Sequence, residues 1–218
     1  MEKLTQSVEE YLEAIFKLSR DGSPVTVSQL AYALRVSPPS VSEMVRRMRS
    51  AGLLTPDKGR GIRLTADGRA EGARLVRRHR LSERFLVDVL DMPWDVVHEE
   101  ACKLEHALSP EVEARLAAQL GNPRTCPHGQ VIPDEDGELA EEPLRPLSSL
   151  EPGDAGTISC VTEEKADLLR YLASLGLLPD TDVAVESVAP FGGPVLVRVA
   201  GAQYALGREV AGKIMVRG

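Results

Sequence analysis

Between Thr26 and Gly52 two short stretches of helical period are separated by a tight connection. The first is TVSQLAYAL, residues 26–34. Arg35 and Val36 follow, and Ser37-Pro38-Pro39 then opens SVSEMVRRMRSAG, which stops at Gly52. A serine followed by proline in the first turn is a helix start, because proline fixes the backbone there and lacks only an N–H that would have no partner. Upstream, SVEEYLEAIFKLS (7–19) repeats Val8, Leu12, Ile15, Phe16 and Leu18 at helical spacing. It opens with Ser7 and Glu10 in capping-box spacing. Downstream, LLTPDKGRGIRLT reads as strand, glycine-containing turn, strand. Three short helices and a hairpin predict a winged helix-turn-helix, whose third helix enters the major groove of DNA.

Charge supports that reading. The chain has a formal net charge of −7, yet residues 1–80 hold 15 Lys+Arg against 9 Asp+Glu, a net of +6. The remainder holds 26 − 15 = 11 basic and 33 − 9 = 24 acidic residues, a net of −13. A basic front on an acidic body points one end at a polyanion. The front of the third helix offers Ser37, Pro38, Pro39, Ser40, Ser42 and Glu43, small enough for close approach to base edges. Arg46 and Arg47 follow a turn later, and Lys58, Arg60 and Arg63 decorate the wing; these suit phosphates. The alternative is a trihelical core that binds protein.

Helical period continues over 66–90, 95–107 and 110–120, broken at Met92-Pro93 and Ser109-Pro110. Residues 121–148 are rich in proline, glycine and acid and read as an irregular linker. From Leu150, short β-type segments (TISCV, DVAVESV, PVLVRV, AQYALG, KIMVRG) surround one helix at 164–175 and predict a small β-barrel. The expected fold is mainly α with a small β domain. Its parts are a DNA-binding domain over 1–65, a helical dimerisation and metal-binding domain over 66–122, a linker over 123–148 and an SH3-like domain over 149–218.

The helix at 95–107 carries HEEACKLEH. With successive residues rotated by about 100°, His98, Cys102, Glu105 and His106 share one arc of about 100° beside an apolar face. His79 and Glu83 stand one turn apart on the preceding helix, and Cys126-Pro127-His128 places a thiol beside an imidazole. Singly, each has an ordinary structural explanation: a surface ion pair, a core cysteine, a loop. All four histidines and two of the three cysteines nevertheless fall in these clusters, which favours a metal site. A mixed His/Glu/Cys set suits exchangeable Mn(II) or Fe(II) better than structural zinc. A metal-dependent hydrolase is the alternative from another class, but no HExxH, phosphate loop or nucleophile elbow is present. No apolar run is long enough to span a bilayer and the start lacks a secretory signal, so a cytoplasmic protein with reduced thiols is expected.

With winged helix, metal-capable helices and terminal β module in this order, the whole chain resembles the diphtheria-toxin-repressor family of metal-dependent transcription regulators. SPPSVSEMVRRM is similar to its recognition helix, and RRHRLSERFL, VHEEACKLEH and CPHG to its metal-binding segments. The resemblance implies a homodimer without enzymatic activity or organic substrate, which binds a pseudo-palindromic operator when loaded with divalent metal and controls metal uptake or homeostasis genes. It implies two metal sites per subunit. One takes Glu10, Cys102, Glu105 and His106, the other His79, Glu83 and His98. Cys126 and His128 join one of them, and Glu164 or Asp167 completes a site from the terminal domain. Glu10 favours Mn(II), whereas Cys102 is shared with iron-responsive relatives, leaving Fe(II) as the alternative; the purely local explanation for Glu10 is that it is the capping partner of Ser7. Leu86, Val89, Leu90, Trp94 and Val97 are candidates for the dimer interface or for intramolecular core. The terminal module could supply ligands, bind a proline-containing segment or stabilise the dimer.

Overall fold

The computed structural model describes residues 4–19, 22–56, 61–140 and 143–218. It divides into two compact units: Met1–His79 with Glu105–Leu108 and Pro133–Leu139, and Arg80–Leu104 with Ser109–Ile132 and Ala140–Gly218.

In the first unit, α1 (Gln6–Leu18), α2 (Val27–Leu34) and α3 (Pro38–Ser50) pack around Leu12, Ile15, Leu30, Val41, Val45 and Met48. α2 begins in a capping box between Thr26 and Gln29, and the Ser37 side chain accepts the Ser40 N–H to start α3. α1 starts two residues earlier than a cap at Ser7 would place it. Thr5 is its N-cap, and Glu10 accepts from Gln6 Nε2 at 3.2 Å, so Ser7 and Glu10 do not form the expected capping box. The wing is slighter than a regular hairpin: Leu54 bridges Leu64, and Ile62 bridges Val25 ahead of α2. Its turn lies outside the described residues. The front of α4 (Ala66–Asp88) docks closely on the strand before the wing, since a Cβ at Gly68 would stand 2.1 Å from the Leu53 carbonyl oxygen. Gly68→Ala therefore forces backbone apart and is expected to cost about 1–3 kcal/mol. Urea unfolding monitored by circular dichroism measures that loss.

In the second unit, Leu86 packs with Val97 and Ala101 of α5 (Val97–Glu105), while Leu81 packs with Ala117 of α6 (Pro110–Gln119) and Ile132. Of the residues weighed for a dimer interface, Leu86 and Val97 are thus core, and Trp94 packs against the β domain's core. Val89 and Leu90 remain half exposed. The β domain is one antiparallel sheet in the order β1-β6-β2-β3-β4-β5, made of β1 (Arg145–Pro146), β2 (Ala155–Val161), β3 (Asp182–Val188), β4 (Val195–Val199), β5 (Ala202–Leu206) and β6 (Ile214–Arg217). Alternation of buried and exposed residues along β3 and β4 turns their valines onto a core with Leu169 and Leu172 of α7 (Ala166–Ser174). The sheet is open, so the expected barrel is corrected to an unclosed SH3-like sheet. Arg145 and Pro146, read from sequence as linker, pair with β6, and Leu147 just after them is fully buried in the sheet's core. A short helix, α8 (Arg208–Ala211), precedes β6 and was not anticipated. No described helix is long and apolar enough to cross a membrane.

Candidate metal centres and nucleic-acid interface

α3 turns Val41, Val45 and Met48 inward. That leaves Ser37, Pro38, Pro39, Ser40, Ser42, Glu43, Arg46 and Arg47 exposed on its other face. The Ser37 and Ser40 hydroxyls are 2.8 Å apart, and Ser42 Oγ donates to the Pro38 carbonyl at 3.0 Å. Arg63 donates to the Gly22 carbonyl at 2.8 Å. Lys58 and Arg60 lie outside the described residues.

Among the described residues, ligand-capable side chains gather within each unit. In the first, His79 of α4 donates Nδ1–H to Glu105 Oε2 at 2.5 Å and lies 3.9 Å from Glu13 Oε1. His106 Nδ1 donates to Glu9 at 2.7 Å, and its Nε2 stands 3.3 Å from Glu105 Oε1. His79 and Glu105 are each 1 % exposed. Burial raises the Glu105 carboxyl, against the opposing pull of the His79 hydrogen bond, while the Glu13 charge pushes it further up.

Glu10, expected at this site, is exposed here, and the first-helix acids that meet the cluster are Glu9 and Glu13. Glu13 was legible in principle: at about 100° per residue it falls beside Phe16 at the edge of the apolar arc made by Tyr11, Ile15, Leu12 and Phe16, so a carboxylate borders the buried face of α1.

In the second unit the CPHG segment makes a tight turn. Gly129 N–H donates to the Cys126 carbonyl, and Thr125 bridges Val131. The turn lies along β2, with the Val161 N–H donating to the His128 carbonyl at 3.0 Å. Glu83, Cys126, His128 and Glu164 offer an oxygen, a sulfur, a nitrogen and an oxygen all within 4.8 Å of one another. Glu83 and His128 are fully buried. His98 joins them, with Nδ1 2.7 Å from Glu164 Oε2 and 3.5 Å from Glu83 Oε1. Cys102 Sγ is 3.8 Å from His98 Nε2, so the cysteine meets the histidine one turn before it. Asp167, by contrast, is 97 % exposed and pairs with Arg170; of the two terminal-domain candidates, Glu164 is the one that reaches the cluster.

This donor set fits a divalent ion. His128 donates Nε2–H to the Trp94 carbonyl at 2.8 Å, which leaves Nδ1 toward the carboxylates, the orientation that metal-binding imidazoles adopt. Arg80 of α4, itself buried, donates to the Val131 carbonyl and to Gln130 Oε1. Gln130 in turn donates to the Val161 carbonyl at 3.1 Å and to Glu164 Oε1 at 3.4 Å, positioning that carboxylate. No sequence pattern singled out Arg80 or Gln130, because neither is a usual ligand type. Burial opposes a charge on His98, but hydrogen bonds with Cys102, Glu164 and Glu83 and the Glu164 charge hold it protonated, raised to about 11. His128 is raised against its own burial by Glu83 and Glu164, and burial beside the same carboxylates pushes the Cys126 thiol well up.

A cation entering here must displace these protons. Its affinity should therefore rise with pH. Calorimetric titration in buffers of different ionisation enthalpy is expected to show net proton release, and a buffer-independent heat would contradict it.

Residues 3–62 match the family model of the iron-dependent repressor N-terminal DNA-binding domain, and 65–134 that of the iron-dependent repressor metal-binding and dimerisation domain. Residues 145–218 match the FeoA domain. The chain is 36% identical over 228 residues to the iron-dependent repressor IdeR of Mycobacterium leprae, covering 99% of both chains. It is 43% identical over 141 residues to the diphtheria toxin repressor of Corynebacterium jeikeium, covering 65% of this chain and 58% of that one. A solved manganese-dependent transcriptional repressor in complex with manganese superposes with a TM-score of 0.88 at 37% identity, over 96% of this chain and 98% of its own. These relatives are regulators, which removes the hydrolase alternative. A winged helix, histidine–carboxylate clusters and a FeoA-type sheet in one chain, matched along almost its whole length, place this protein in the diphtheria-toxin-repressor family of metal-responsive, DNA-binding transcription regulators.

Proposed function

We propose that this regulator is activated by Mn(II), with Fe(II) the alternative ion, and that it acts in the cytoplasm as a homodimer on a pseudo-palindromic operator controlling metal uptake or homeostasis. The observation that carries this reading is the meeting of Glu9 and Glu13, on the first helix of the DNA-binding bundle, with His79 of α4, Glu105 at the end of α5 and His106 just after it. The three carboxylates are hard oxygen donors, which suits manganese, while the borderline imidazoles keep Fe(II) as the alternative. The second site is Glu83, His98, Cys126, His128 and Glu164, with Cys102 beside His98.

Without a cation, the carboxylates of the first cluster repel one another and are held by hydrogen bonds to His79 and His106. A bound divalent ion supplies the positive charge that lets these acids converge while ionised. α1 is then held to α4 and α5, and α3 projects from a fixed bundle. Linkage requires that DNA tighten metal binding by the factor by which metal tightens DNA binding. Val89 and Leu90, exposed at the end of α4, are apolar surface available for pairing with a second copy.

Fluorescence anisotropy with operator DNA, under Mn(II), Fe(II) or chelator, tests the reading. Affinity indifferent to all three would overturn it. On the DNA side, Arg46→Ala is expected to weaken binding about equally for all sequences and to lower the salt slope by about 1, as a phosphate contact should.

A further inference from the structure

We propose that the cluster of the second unit is a two-ion centre, in which Glu83 and Glu164 bridge one divalent cation on His98 and another on Cys126 and His128. The inference rests on the metal-responsive reading above and adds to it a site for one more ion. Its basis is how the oxygens are shared. Glu164 turns Oε2 to His98 Nδ1 at 2.7 Å and Oε1 toward His128 Nδ1 at 3.7 Å. Glu83 Oε1 is 3.5 Å from His98 Nδ1 and 3.4 Å from His128 Nδ1. One carboxylate thus presents a different oxygen to each imidazole, and the other presents one oxygen to both. The two acids are thus common to two groups of donors, one with His98 and one with Cys126 and His128, so a cation on each group would share them, as in metal pairs that clamp a shared ligand.

Each imidazole is already oriented for its own ion. His128 spends Nε2 on the Trp94 carbonyl, and His98 turns Nε2 to the sulfur of Cys102, so in both rings Nδ1 faces the acids. Glu83 is fully buried, and Glu164 is held through Oε1 by Gln130. Charge permits the pair. Two carboxylates and a Cys126 thiolate bring three negative charges, so one divalent ion leaves the centre at −1 and two leave it at +1, an equally small excess. The two ions differ in surroundings. The one on His98 has oxygen and nitrogen donors, and the one on His128 adds sulfur, so the second tolerates a softer metal.

The test counts ions in the full chain. After equilibrium dialysis against Mn(II), elemental analysis is expected to find three ions per chain, one in the first unit and two here. Electron paramagnetic resonance should show an exchange-coupled signal with halved hyperfine spacing. His98→Asn should remove one ion and the coupled signal together, and the double variant C126S/H128N should do the same. Two ions per chain with only isolated six-line signals in the wild type would overturn the proposal, and that measurement needs no variant to fold. The two readings fail differently. Metal-dependent DNA binding with two uncoupled ions sinks the paired centre and leaves the regulator. A coupled pair in a chain whose DNA affinity ignores metal sinks the regulator and leaves the centre.

Discussion

Replacing Glu105 with alanine abolishes the metal dependence of operator binding: in Mn(II) the variant's affinity falls to that of the chelated wild type. Glu105 is the hub of the first cluster, with Oε2 on His79 and Oε1 near His106, so it joins α4 to α5 where Glu9 and Glu13 of α1 arrive. Without it, a cation loses the carboxylate that both histidines share. Couplings between effector and ligand sites run to about 1–3 kcal/mol, or roughly 5–150-fold. The expected loss lies toward the upper end, on the order of 100-fold, because the residue is central and its carboxylate is buried. Glu105→Gln separates charge from packing. Its amide oxygen still accepts from His79, yet it cannot neutralise a cation, so it should be nearly as impaired as the alanine variant. Anisotropy titrations of wild type and both variants, with and without chelator, check this; a glutamine variant that responds fully to Mn(II) would show that Glu105 acts by shape alone.

The second large effect falls on a residue with no side chain. Gly129 has φ +82°, and a Cβ there would stand 1.9 Å from the Ser159 carbonyl oxygen and 2.9 Å from the Cys160 Cα. The glycine is what lets the CPHG turn lie flat on β2. Gly129→Ala adds left-handed backbone strain of about 1–3 kcal/mol to an overpacking cost of about 1–3 kcal/mol, roughly 2–6 kcal/mol together. Because the obstruction is backbone on both sides, relief requires the turn to lift. Lifting carries His128 and Cys126 away from Glu83 and Glu164. Thermal unfolding should therefore show a markedly lower transition, and dialysis should show loss of the ion on Cys126 and His128 while the first cluster keeps its own. A variant that melts with the wild type and retains all its metal would refute the close docking of the turn.

Much of the fold was legible because it depends on local periodicity. The helices over α1 to α7 and the strands β2 to β6 follow apolar spacing, and their ends follow Ser37-Pro38, Ser109-Pro110 and the glycine turns. What short-range spacing leaves open has a common cause. Glu10 and Glu9 are about 100° apart on one helix, so which of them meets α5 depends on how α1 is rotated against its neighbours. Sheet closure, likewise, is a relation between strands distant in sequence. β1 is only two residues, too short for any alternating pattern, and its membership in the sheet is decided by its pairing with β6.

The candidate sites divide in the same way. Residue types and their concentration marked nearly every ligand-capable side chain in the two clusters, since histidine and cysteine are scarce in this chain. Grouping them required the three-dimensional structure. Cys102 meets His98, Glu164 rather than Asp167 reaches the second cluster, and Cys126 and His128 arrive through a turn pressed against β2. By itself the sequence determined which chemistry is available and which segments are helix or strand, because both follow from side-chain identity and short-range spacing. Only the tertiary structure decided which oxygens face which imidazoles. Those placements are set by packing and hydrogen bonds between residues far apart along the chain, such as the path from Arg80 through Gln130 to Glu164.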